Sequence, residues 1–197
     1  MTVTYELLRL QNRDGEETIA QDHQDVSVVY AELVGFDDWA RSLTSEQELG
    51  YLNTLVRGFD DAAERTGVEN VRALRGGYLA SSGLVVPRVD NVRRSIDFAR
   101  EMRAVIERFN SQNGSSLSLR AGVDSGTVTS GLVGRTNLAY DLWGDAVNLA
   151  YRVRGVTDEP GIYVSQAVHE RLQDTVSFVE AGTIEIAGVK QPVWRVK

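Results

Sequence analysis

Asn148 and Arg152 stand four residues apart, so a carboxamide and a guanidinium share one helix face. By itself this is a polar helix face. Glu32 closes an otherwise apolar segment, where a carboxylate is either a ligand for one cation or a half-buried acid with a local hydrogen bond. Asp141 precedes Leu142-Trp143 and suits the cap of the helix that follows. Glycines at 122, 126, 131 and 134 lie among β-branched residues, a spacing that serves a phosphate cradle or close strand packing equally well. Asp37 and Asp38 fall at an expected helix start, where acids cap the helix and favour its dipole. With no cysteine, thiolate nucleophiles, disulfides and thiolate metal sites are excluded. His23 and His169 are too far apart to suggest a zinc pair and read as surface residues.

Something must hold these groups in place, and 197 residues are enough for one substantial core. The segment 26–34 is apolar on both faces and reads as a buried central strand ended by Gly35. Helices follow, one of them opening at Ser45 with Glu48 as a capping box and carrying Leu49, Leu52, Leu55, Val56, Phe59 and Ala63 at helical spacing. Segments 70–75 and 78–82, joined by Gly76-Gly77, read as a hairpin whose turn needs positive φ. Residues 90–109 are helical, 115–123 a strand, 122–134 a glycine-bearing strand and 145–153 a helix. A strand at 162–164, a helix at 165–172 and a hairpin through 184–196 complete the chain. Strands and helices alternate without a strict βαβ rhythm, which favours an α+β sandwich with helices on one face over a doubly wound sheet. Residues 1–25 read as a lead-in or linker and 26–197 as the domain.

Composition removes several functions. The net charge of −7 argues against nucleic acid and against a polybasic membrane contact, which need concentrated positive surface. No apolar run approaches the roughly 18–20 residues of a spanning helix, and the first residues lack the pattern of a signal peptide. The expectation is a cytoplasmic domain.

The string YDLWGDAVNLAYR at 140–152 resembles the signature of class III nucleotide cyclases, the adenylyl and guanylyl cyclase catalytic domains. VVYAELVGF at 28–36, VRALRGGY at 71–78, RAGVDSGTVTSGLVG at 120–134 and DGEETIAQDHQDVSVV at 14–29 extend the likeness in the family's order. The resemblance implies a ferredoxin-like βαββαβ core with additions, working as a head-to-tail dimer with sites at the interface. It implies that Asn148 and Arg152 are the transition-state residues, the first orienting the ribose and the second meeting charge on the α-phosphate. Arg72 and Asp141 then contact the purine, with Asp141 favouring ATP and Arg72 standing where the family has a lysine.

The family's two metal aspartates fall on Glu32 and Gly76. Two cations there neutralise phosphate charge and activate the ribose hydroxyl. Glu32 carries its carboxylate one methylene further out, and Gly76 has no ligand to offer. Asp37 stands where a hydroxyl residue meets phosphate, and the triphosphate lysine of the closing hairpin has only Ala187 and Lys190 near its place. The resemblance with these departures points to a pseudocyclase homodimer retained for signalling or interaction. It also leaves a catalytic half that makes cyclic AMP beside a metal-bearing cyclase partner, like the second cytosolic half of mammalian membrane adenylyl cyclases, or a weakly active homodimer using Glu32. The cofactor is Mg or Mn if the chain is active, and otherwise none. The lead-in at 14–26 resembles the joint to an upstream membrane or HAMP module.

Overall fold

The computed structural model describes residues 20–74, 76–133 and 139–197. Most of the expected lead-in, including residues 14–19 of the segment likened to a joint with an upstream module, lies outside the described residues. Strand β1 (Gln21–Val34) begins five residues before the expected domain start, because Gln21, Asp22 and His23 pair with Ser130, Thr129 and Val128. A bulge between His23 and Val26, with Asp25 at φ 54, separates this arm from the buried part of the strand. His23 bonds Ser130 Oγ at 2.8 Å instead of facing solvent freely.

Helices α1 (Phe36–Ala40) and α2 (Ser45–Thr66) lead to the hairpin β2 (Glu69–Leu74) and β3 (Gly77–Ser82). The capping box of α2 sits one residue earlier than expected. Thr44 Oγ1 accepts from Gln47 N at 3.2 Å and Gln47 Oε1 from Thr44 N at 2.9 Å. Asp37 and Asp38 occupy the first turn of α1, whose N-cap is Gly35, so neither is the cap. After α3 (Asn91–Asn113) the chain enters one long strand, β4 (Ser118–Val133), where two were expected. That strand starts late because Asn110, at the end of α3, binds both the N–H and the C=O of Leu117 and takes the Ser115 hydroxyl. Strand β5 (Ala139–Trp143) folds back on β4 and leads into α4 (Asp145–Arg154). The remaining elements are β6 (Gly161–Val164), α5 (Gln166–Leu172), β7 (Phe178–Ile186) and β8 (Val189–Val196).

The sheet order β2-β3-β1-β4, antiparallel throughout, with α2 between β1 and β2 and α3 between β3 and β4, is the ferredoxin-like core. β6 adds parallel to β4, and the β7–β8 hairpin extends that edge. The expectation of helices on one face needs correction. Val29, Ala31 and Leu33 pack with α2, α3 and α5, while Val26, Val28 and Val128 face the other way and meet Ala146 and Ala150 of α4. Gly122 makes this second layer possible, since a Cβ there would lie 1.9 Å from the Ala150 carbonyl oxygen. His169 is likewise built in, stacked on Trp194 with ring centroids 3.8 Å apart.

Asp124 of β4 is buried and accepts from Ser165 Oγ at 2.5 Å. Burial pushes its carboxyl up to about 6, against the pull of hydrogen bonds from Ser165 and the Ser125 N–H, and Asp145 adds to the rise. The folded state thus holds this proton more tightly than the unfolded chain, whose carboxyl titrates near 3.9. The stability this gives is present below about pH 4 and is lost as pH rises through about 6. Asp124→Asn, which keeps the acceptor for Ser165, is expected to exceed the parent by on the order of 2–3 kcal/mol at neutral pH and to match it near pH 4. Urea unfolding at the two pH values checks this.

Candidate active site

Glu32 and Gly76, the two positions expected to face metal, are brought together: Leu33 N donates to the Gly76 carbonyl at 2.6 Å, and Glu32 pairs in register with Gly77. Gly76 takes φ 70 in the tight turn and, among the described residues beyond its chain neighbours, has no atom within 4 Å of where a Cβ would stand. The two positions line a recess of about 390 Å³ with Tyr30, Asp37, Tyr151 and Arg154.

The Glu32 carboxylate does not point into this recess unaccompanied. Its Oε2 accepts from Arg120 Nε at 3.0 Å, from Arg120 Nη2 at 2.8 Å and from Arg154 Nη1 at 2.5 Å. Arg120 is its direct cross-strand neighbour on β4, and Arg154 comes from the last turn of α4. Side-chain exposures of 34% for Glu32, 16% for Arg120 and 13% for Arg154 place the cluster mostly out of water, where ion pairing is weakly screened. Arg120 also bonds the Thr157 carbonyl at 3.0 Å and Asp158 at 3.1 Å. A divalent ion fits this arrangement poorly. One oxygen of the carboxylate, Oε2, already accepts three N–H groups, Gly76 supplies no ligand, and no group of three or more His, Cys, Asp or Glu among the described residues is placed to hold a metal.

Neither arginine was singled out from sequence. Arg120 becomes visible only through the register of β1 on β4. Arg154 did leave a signal, because it falls on the apolar stripe Ala146, Ala150, Val153, where a charge needs a buried partner.

At the two positions expected to contact the purine, Arg72 Nη1 lies 3.2 Å from Asp141 Oδ2, and Asp141 Oδ1 accepts from Leu142 N at 2.9 Å. The two residues are 69 positions apart in sequence, so their pairing comes from the fold. It is a wet contact, with the Arg72 side chain 49% exposed and that of Asp141 25%. Asn148 and Arg152 are both exposed on α4, and the Arg152 guanidinium donates to the Glu185 carbonyl of the β7–β8 hairpin. Ala187, with φ 49, stands in the turn of that hairpin and Lys190 opposite Glu185 in its register. Arg152 and Arg154 therefore serve opposite sides of one helix, the first outward and the second into the Glu32 cluster.

Residues 18–196 match the sequence model of the adenylate and guanylate cyclase catalytic domain. The chain is 34% identical over 170 residues to an adenylate cyclase of Mycobacterium tuberculosis strain H37Rv, a match that covers 86% of this chain and 38% of that protein. It is 28% identical to adenylate cyclase type 9 of Gallus gallus over 85% of this chain and 13% of the relative. The chain thus spans under two-fifths of the length of these relatives. Among solved structures, the guanylate cyclase domain of RhGC from Catenaria anguillulae in complex with GTP superposes with a TM-score of 0.83 at 25% identity, over 90% of this chain and 98% of that one. The adenylyl cyclase CyaB from P. aeruginosa shares the fold with a TM-score of 0.77 at 20% identity, over 92% and 96% of the two chains. With a family match over nearly the whole sequence and a cyclase fold beneath it, the chain belongs to the adenylate and guanylate cyclase catalytic domain family.

Proposed function

We propose that this chain is a pseudocyclase: a cyclase homology domain that associates head to tail as a homodimer, makes little or no cyclic nucleotide by itself, and serves signalling or interaction. The observation that carries this is the state of the two metal positions, Gly76 without a side chain and Glu32 already neutralised by Arg120 and Arg154. Without two cations on the triphosphate, charge developing in the transition state has no counterpart from this side. A weakly active homodimer built on Glu32 is disfavoured by the same contacts. No helix among the described residues is long and apolar enough to cross a membrane, and the relatives extend well beyond the region matched, so attachment to an upstream membrane or HAMP module stays part of the proposal.

A second reading is supported by α4. Asn148 and Arg152 are intact and exposed one turn apart, so the chain could lend its catalytic residues to a metal-bearing partner, with ATP as the nucleotide. For the homodimer, incubation of the purified chain with ATP or GTP and either Mg or Mn is expected to give no cyclic nucleotide above background. Turnover near about 1 s⁻¹, within the ordinary enzyme range, would overturn the pseudocyclase reading.

A further inference from the structure

Arg154 occupies the recess where a cyclase domain would need a cation, and the Glu32 carboxylate has closed on it. We infer that Arg154, braced by Arg120, is a fixed cation built into the chain at the metal position, and that it excludes divalent ions from this half of the domain. The inference rests on the pseudocyclase reading and names the residue that locks that state.

Three observations support a lock over an incidental surface pair. The Arg154 side chain is 13% exposed, and its guanidinium carbon lies 4.7 Å from the centroid of the Tyr151 ring and 5.4 Å from that of Tyr30, two rings packed edge to face on each other, so the cation rests against an aromatic pair. Its Nε is buried with no hydrogen-bond partner, which makes the Nη1 contact to Glu32 its polar anchor. Helix α4 cannot easily carry the arginine away, because Ala150 and Val153 are fully buried and Gly122 lets the helix backbone rest on β4. At Glu32 an arriving ion meets a carboxylate already shared by two guanidiniums, with Asp158 engaged on Arg120 and Asp37 at an exposed position of the recess, where a working site offers two carboxylates free to ligate.

Restoring the missing ligand should therefore fail unless the arginine is removed as well. Gly76→Asp has room, with no atom of the described residues beyond its chain neighbours within 4 Å of the new Cβ, and although φ 70 strains any L side chain, aspartate tolerates it better than most. Mn²⁺ binding, followed by the electron paramagnetic resonance signal of free Mn²⁺, is expected to show no site at Glu32 in the parent and at most weak binding in Gly76→Asp. The double variant Gly76→Asp with Arg154→Gln should bind at least tenfold more tightly than Gly76→Asp alone. That gain should vanish when Glu32→Gln is added, which separates the site from ions scattered over an acidic surface. Gly76→Asp with Arg154→Lys, which keeps the charge, should bind no better than Gly76→Asp. If the glutamine variant does not fold, Arg154→Met retains an unbranched stem against the two tyrosines and carries the same comparison. Equal Mn²⁺ affinity of Gly76→Asp with and without Arg154, equal gain from lysine and glutamine, or a Glu32-dependent Mn²⁺ site in the parent would each overturn the inference. Cyclic nucleotide formation by the parent would instead overturn the functional reading on which it rests.

Discussion

Glu32→Ala is expected to destabilise the chain strongly, because it leaves the guanidiniums of Arg120 and Arg154 facing each other with little water between them. Breaking a buried ion pair by deleting one partner costs about 3–5 kcal/mol. Glu32 is about one-third exposed, so water recovers part of that and about 2–3 kcal/mol is the expected loss. In a domain of this length each kcal/mol moves the melting temperature by about 2–4 °C, giving a fall of roughly 4–12 °C. Arg154→Met combined with Glu32→Ala should recover part of the loss, since the deletion does its damage through the stranded charge. A residual metal ligand behaves in the opposite way: its removal relieves repulsion in the metal-free protein and leaves stability unchanged or improved. Thermal and urea unfolding of the three variants in chelator separates the two accounts, and a shift below about 2 °C for Glu32→Ala would count against the ion cluster.

What sequence could and could not disclose follows the range of the interactions involved. Periodicity located α3 and, with a capping pattern, α2, because their buried stripes are local patterns, and of the paired glycines Gly76 takes the positive φ of the β2–β3 turn while Gly77 already opens β3. Arg72 and Asp141 drew notice only through the likeness to a family, and the fold sets the one beside the other. The cap of α2 moved by one residue because Thr44 and Ser45 are equivalent candidates and only the backbone geometry chooses between them. The cation lock was hidden for a deeper reason. Glu32, Arg120 and Arg154 lie on three elements, and their meeting depends on the register of β1 against β4 and on which face α4 covers. Local pattern specifies neither. An arginine on the apolar stripe of α4 was the one trace left in the chain, and it states that a partner exists without saying which.

The two sides of the site are also closed with unequal strength, and this bears on what the chain does beside a different partner. Opening the purine side means separating Arg72 from Asp141, an exposed pair of a kind that contributes about 0–1 kcal/mol. Freeing Arg152 from the Glu185 carbonyl, also at an exposed position, costs on the order of 1 kcal/mol. Neither is a serious barrier against the binding of a nucleotide triphosphate, whereas the metal side is held by a mostly buried cluster. A cyclase domain that keeps both metal aspartates but has lost its own transition-state arginine is therefore expected to regain cyclic AMP production when mixed with this chain. The composite site would take its cations from the partner and Asn148 and Arg152 from α4. Arg152→Ala in this chain should then lower the restored rate by about 10²–10³, the usual loss when one preorganised donor to developing charge is removed. The measurement is cyclic AMP formed per heterodimer, with heterodimer content fixed by sedimentation. A mixture that assembles yet yields no product, or a restored rate indifferent to Arg152→Ala, would show that α4 no longer serves catalysis with that partner and leave interaction as the remaining role of the domain.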